Sequence, residues 1–203
     1  MRKLTLAGVL VVAFAACAAS VGPASAASGG GCKLDGTATF DGAGLTATGT
    51  GPFTYGFSGP LTSCQSSVAG SPASGSVEAG MVWTDAVSGQ QFQEPRSTGT
   101  GGCGSSTTDG TGIIKWADGT ITVISYHTDG AAAAVKLSGS VIPSVTLPAI
   151  NPAVGQPTST TITTTRYTGS SVTGGLAFEA NPTDCNTGVK SAGIAGVTTL
   201  GAQ

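Results

Sequence analysis

The chain has 203 residues, 33 of them glycine, with 9% charged and 39% hydrophobic side chains and a formal net charge of −2. So few charges, slightly negative in balance, exclude the clustered Lys and Arg on which nucleic-acid recognition rests. The hydrophobic fraction, set in strand-like periodicity, separates the chain from disordered Gly/Ser-rich sequence.

In chain order, a basic head (Arg2, Lys3) leads into an uncharged apolar run from Leu4 to about Ala19, followed by Pro23-Ala24-Ser25-Ala26-Ala27. This is the pattern of a secretory signal peptide, expected over 1–26 with cleavage after Ala26. The run is too short to span a bilayer, and no later segment is apolar for long enough. A second reading makes Cys17, in "AFAAC", a lipid-modified cysteine, although Phe14 stands where such motifs usually carry leucine. The remainder, 27–203, is expected to form a single domain, made more negative by the loss of Arg2 and Lys3.

Cys32, Cys64, Cys103 and Cys185 then remain. An even number in an exported chain predicts two disulfides with three possible pairings, of which Cys32–Cys64 with Cys103–Cys185 is favoured. No spacing is CxxC and one histidine cannot complete an ordinary zinc site, so no metal or other cofactor is expected.

Apolar or aromatic residues alternate with small polar ones in 37–40 and 53–57, the period of a half-buried strand. Further strands are expected near 75–83 and 90–94. The glycine-rich "STGTGGCGSS" reads as a flexible loop. Segments 111–116 and 120–128 form a hairpin about Asp118-Gly119. Asp129-Gly130 then turns the chain into a strand over 131–141. The prolines of 143–157 make an edge crossover or long loop, since proline cannot donate to a ladder. Strands near 159–168, 172–180 and 188–200 complete the chain, and no amphipathic helix of three turns appears. Asp-Gly occurs at 35, 41, 109, 118 and 129; these are read as turns, because calcium needs six to eight converging oxygens. The stretch 35–64 also echoes 109–144, including Ser58-Gly59 against Ser138-Gly139, through either a duplicated strand-hairpin-strand unit or convergence of low-complexity β sequence.

Chemical motifs are sparse. GxSxG is absent, and bridged cysteines supply no thiolate to pair with His127. Glu78, Asp85, Glu94 and Glu179 leave a two-carboxylate hydrolase open in principle. His127 reads as a solvated rim residue, sharing a strand face with Ile121, Val123 and Ser125, while Tyr126 shares the other with Ile124. Trp83, Trp116, Tyr55, Tyr126, Tyr167, Phe53, Phe57, Phe92 and Phe178 are the large anchors, mostly expected in the core. The candidate ligand-binding residues are Trp116, Tyr126 and His127, with Trp116 the first choice.

"GCKLDGTATF", "FTYGFSGPLTSCQSS", "GTGGC", "KWADGTITVISY" and "DCNTGVKSAGIAGVTTLGAQ" together resemble a family of small secreted actinobacterial proteins without assigned activity. That resemblance implies secretion and an all-β fold and carries over no site residues. In composition the chain also looks like the chromophore-carrying apoproteins of actinobacteria, although its cysteine spacing differs from theirs.

The expectation is an all-β antiparallel sandwich, Greek-key or jelly-roll-like, of about eight to eleven strands. Its expected role is a secreted, non-enzymatic module binding an extracellular ligand or surface component, without nucleic acid. The alternatives are a carboxylate-pair hydrolase, or a small-molecule carrier with an interior cavity of at least roughly 300 Å³.

Overall fold

The computed structural model describes residues 30–202; the expected leader and the Cys17 reading lie outside them. Runs of Thr, Val, Ile and aromatic residues favour a pleated, half-buried surface, and most of them form strands. These are β1 (Gly30–Phe40), β2 (Pro52–Ser66), β3 (Gly75–Ala79), β4 (Val82–Thr84), β5 (Gln91–Gln93), β6 (Ser97–Gly101) and β7 (Ser105–Trp116). They continue with β8 (Ile121–Ala131), β9 (Ala134–Ile142), β10 (Ser144–Pro148), β11 (Ser159–Thr163), β12 (Ser170–Glu179) and β13 (Ser191–Ala202). The one helical element among the described residues is a 3-10 turn, Pro182–Asn186.

The main sheet closes on itself. β1 pairs with β2 and with β13, β13 with β12, β12 with β9, β9 with β8 and β8 with β7, always antiparallel. Between β2 and β7 the wall is filled by two short strands laid end to end. Phe57–Leu61 of β2 face Ala79–Gly75 of β3, and Pro52–Tyr55 face Thr100–Ser97 of β6. Both short strands also pair with β7. The product is an eight-stranded antiparallel barrel in which wall neighbours follow chain order.

A barrel replaces the expected sandwich. The period-2 pattern is common to both architectures; closure depends on how sharply the sheet curls. Inward-facing glycines permit the curl. A Cβ on Gly59 would stand 2.6 Å from the Gly36 Cα, and one on Gly36 would stand 2.6 Å from the Ser58 carbonyl oxygen. Strands β1 and β2 therefore approach more closely here than two side chains would allow.

The same glycines correct the turn assignments. Asp41-Gly42 and Asp118-Gly119 lie in turns, but Asp35-Gly36, Asp109-Gly110 and Asp129-Gly130 lie within β1, β7 and β8. The β8–β9 turn falls instead at Ala132, whose φ is 51°. "STGTG" is the wall strand β6 rather than a flexible loop, and the proline-rich crossover contains β10, which pairs with β11. The echo between 35–64 and 109–144 aligns two strands (β1, β2) with three (β7, β8, β9), so it is no duplicated unit.

Residues of β7 and β8 alternate between the two faces of the wall. Ile114 and Ile124 point inward with Leu34, Leu61, Val77, Trp116, Leu137, Val172 and Leu200. Their outward neighbours Ile113 and Val123 are buried too, beneath Phe92, Leu147 and Ile162 of the β4–β5 and β10–β11 hairpins. Burying each such side chain is worth about 1.5–3 kcal/mol, so this side of the barrel carries a second apolar layer. The β4–β5 hairpin leaves the wall at Gly80 (φ 69°) and returns at Arg96, which donates to the Gly80 carbonyl at 2.8 Å and to both oxygens of Asp41. Disulfides Cys32–Cys64 and Cys103–Cys185 form as favoured. The first pins β1 to β2; the second ties the β6–β7 loop to the 3-10 turn.

Candidate functional site

The barrel interior holds a cavity of about 130 Å³. Eight strands give an interior just wide enough for packed side chains or one small ligand. Its wall is apolar over most of its length, from Trp116, Leu200 and Val172 at one end to Phe40, Phe53 and Phe178 at the other. Among the described residues, no charged one lines it. Around Phe40 the rings of Phe53, Tyr55 and Phe178 lie with centroids 5.7–6.2 Å away, in tilted or edge-on contact. Leu45 and Val189 close the core beneath them.

The Trp116 end is sealed. Trp116 is 4% exposed, its Nε1–H donates to Thr122 Oγ1 at 2.9 Å, and Thr122 donates to the Arg166 carbonyl at 2.9 Å. Tyr167, held in a left-handed backbone conformation (φ 60°), meets the indole edge-on. Arg166 fixes this cover by bonding Asp118 and Thr120 on the β7–β8 turn. At the opposite end the lining residues Ser106, Thr128, Val135 and Phe178 are only half-buried.

The polar part of the lining is a run of hydroxyls. Tyr55 Oη lies 2.9 Å from Thr108 Oγ1 and 2.9 Å from Tyr126 Oη. Tyr126 Oη lies 2.7 Å from Ser97 Oγ, and Thr108 Oγ1 lies 2.7 Å from Thr128 Oγ1. The groups come from β2, β6, β7 and β8, so only closure of the wall assembles them. Burial raises both tyrosine hydroxyls above the ordinary phenol value, Tyr126 the further, and both remain protonated donors at neutral pH.

Of the sequence-predicted trio, Trp116 and Tyr126 share the cavity and His127 does not. His127 points outward from the middle of β8, its Nδ1 2.8 Å from Asp109 and its Nε2 3.3 Å from Asp129. It is a solvated wall residue, although the strand runs on past it rather than ending there. Hydrogen bonds to the two aspartates raise its pKa. Tyr55, Ser97, Thr108 and Thr128 were not among the predicted site residues. Alternation would have put Thr128 on the Tyr126 face and Thr108 on the Ile114 face, but not the partners across the barrel.

The four candidate acids line no part of this cavity. Asp85 caps the β4–β5 turn through the Val87 and Ser88 amides, and Glu179 is exposed at the end of β12. Glu78 pairs with Lys115 at 3.1 Å, and that ammonium sits 4.0 Å from the Trp83 ring centroid. Glu94 is 1% exposed; its Oε2 accepts from the Met81 amide at 3.1 Å and its Oε1 has no partner among the described residues. Burial raises the Glu94 pKa, the nearby Glu78 charge adds to the rise, and the Met81 N–H and Lys115 oppose it.

No family model, curated protein or solved structure matches this chain.

Proposed function

We propose that this protein is a secreted, non-catalytic binder of one small, mostly apolar molecule, held inside the barrel. The observation that carries the reading is the interior cavity, uncharged and chiefly aliphatic and aromatic. At about 130 Å³ it is smaller than the roughly 300 Å³ a drug-sized ligand needs. It is close to the roughly 150 Å³ apolar cavity that takes up benzene in an engineered protein. The half-buried ring of Ser106, Thr128, Val135 and Phe178 marks the way in, away from the Trp116–Tyr167 seal. Two disulfides suit an oxidising compartment, in keeping with the leader-like residues 1–26.

A non-catalytic role agrees with the placement of the acids. Glu78 and Glu94 interact electrostatically, but one is in an ion pair and the other is enclosed, and neither faces the cavity.

The test is thermal unfolding of the 27–203 protein with toluene near saturation. Binding to the folded state raises the midpoint by mass action. Thr198→Phe, which places a ring in the cavity, should remove the rise. An unchanged midpoint in the wild type with toluene and other apolar probes of this size would overturn the reading.

A further inference from the structure

Five hydroxyls inside the barrel are joined in the order Ser97–Tyr126–Tyr55–Thr108–Thr128 by four well-formed hydrogen bonds. Each hydroxyl owns a single proton to donate. Four bonds consume four protons, so one O–H finds no acceptor among the five. Ser97 is 0% exposed and does not line the cavity; among the described residues its one well-formed hydrogen bond is with Tyr126, Tyr55 being a weaker neighbour. Its proton is therefore spent on Tyr126. The unspent proton sits on Tyr126, Tyr55, Thr108 or Thr128, and all four line the cavity.

Resting on the reading of the cavity as the ligand site, we infer that the ligand is a neutral molecule with a hydrogen-bond acceptor, a ketone- or ether-type oxygen, on a compact apolar body. A donor left unmet in an apolar enclosure is costly, whereas an acceptor opposite it recovers the bond. A water can meet the proton while the barrel is empty, and a ligand displacing that water must replace its bond. An anionic head is disfavoured because no cationic side chain among the described residues lines the cavity. Burial keeps both phenols protonated, so the count holds across neutral pH. Rotating the hydroxyls in concert moves the free proton from one member to another, so the donor adapts to the oxygen's position.

The experiment compares cyclohexanone with methylenecyclohexane, its isostere with CH₂ in place of oxygen. In the wild type the carbonyl stretch of bound cyclohexanone should lie below its value in alkane solution. Replacing all five hydroxyls (Tyr55→Phe, Ser97→Ala, Thr108→Val, Tyr126→Phe, Thr128→Val) should shift the affinity ratio toward the hydrocarbon by about 3- to 10-fold. Thr128→Val alone should keep the carbonyl shift, because deleting an end hydroxyl removes one donor and one bond together. An unshifted carbonyl in the wild type would overturn the inference while leaving the cavity reading intact if both probes bind. Loss of the shift in Thr128→Val would overturn the shared-proton account. Failure of both probes to bind removes the cavity reading, and this inference with it.

Discussion

Tyr55 and Tyr126 meet hydroxyl to hydroxyl at 2.9 Å although their strands, β2 and β8, are not neighbours in the wall. The contact reaches across the barrel and, through Ser97, involves β6 as well. Such a bond reports closure directly, and its members depend on one another. Tyr126→Phe removes the well-formed partner of the buried Ser97 hydroxyl and should cost about 1–3 kcal/mol. Adding Ser97→Ala should return part of that loss, giving a non-additive cycle in urea denaturation. Strict additivity would mean the two hydroxyls are independent.

Glu94 makes stability pH-dependent. Its folded pKa is raised, so the native state binds this proton more tightly than the unfolded chain does. The contribution is complete below the unfolded carboxyl value and is lost as pH rises through the folded one. Denaturant unfolding of wild type and Glu94→Gln from about pH 3, below the unfolded carboxyl value, to about pH 9 should show the variant gaining relative to wild type with rising pH. The gain should be about 1.4 kcal/mol for each unit by which the pKa is raised. A constant difference across this range would contradict the assignment.

His127 titrates on the outer wall. Its pKa is raised by Asp109 first and Asp129 second, so any stabilisation is present below the ordinary histidine value and fades as pH climbs through the raised one. In an NMR titration, Asp109→Asn should move the His127 midpoint down toward the unperturbed value. Toluene binding should be indifferent to the same change.

The two disulfides should differ in weight. Cys103–Cys185 spans 82 residues and Cys32–Cys64 spans 32. In the chain-entropy account, replacing the first pair by alanine costs about 4.5 kcal/mol and the second about 3.7 kcal/mol. Denaturation of the two double variants under identical oxidising conditions checks the order.

Glycines on opposite faces should respond in opposite ways. Gly59→Ala drives a methyl into the β1 backbone and should destabilise by about 1–3 kcal/mol. At Gly175 a Cβ meets nothing within 4 Å, so Gly175→Ala should be neutral or slightly stabilising. Thermal midpoints of the pair separate close packing from plain strand propensity.

The strand content and the division of β8 into two faces were legible, because alternation is local. Ile124 and Tyr126 fall inward while Val123 and His127 fall outward, as their spacing requires. Barrel closure was not legible, since it depends on β1 pairing with β13 far along the chain and no short segment carries that register. Glycine misled for a related reason. In Asp35-Gly36, Asp109-Gly110 and Asp129-Gly130 it follows an aspartate, as in a turn, but here it lies within a wall strand. Trp116 and Tyr126 could be singled out as large amphipathic side chains. Ser97 could not, because its significance comes from a partner on another strand.

The pairing of β1 with β13 sets Gly30 opposite Leu200, so the outermost described strands share one seam. A short linker across that seam would convert the wall into a ring without a preferred starting point. The chain could then be opened in the exposed stretch 67–70 with every rung of the ladder kept, a rearrangement that folds usually accept at such positions.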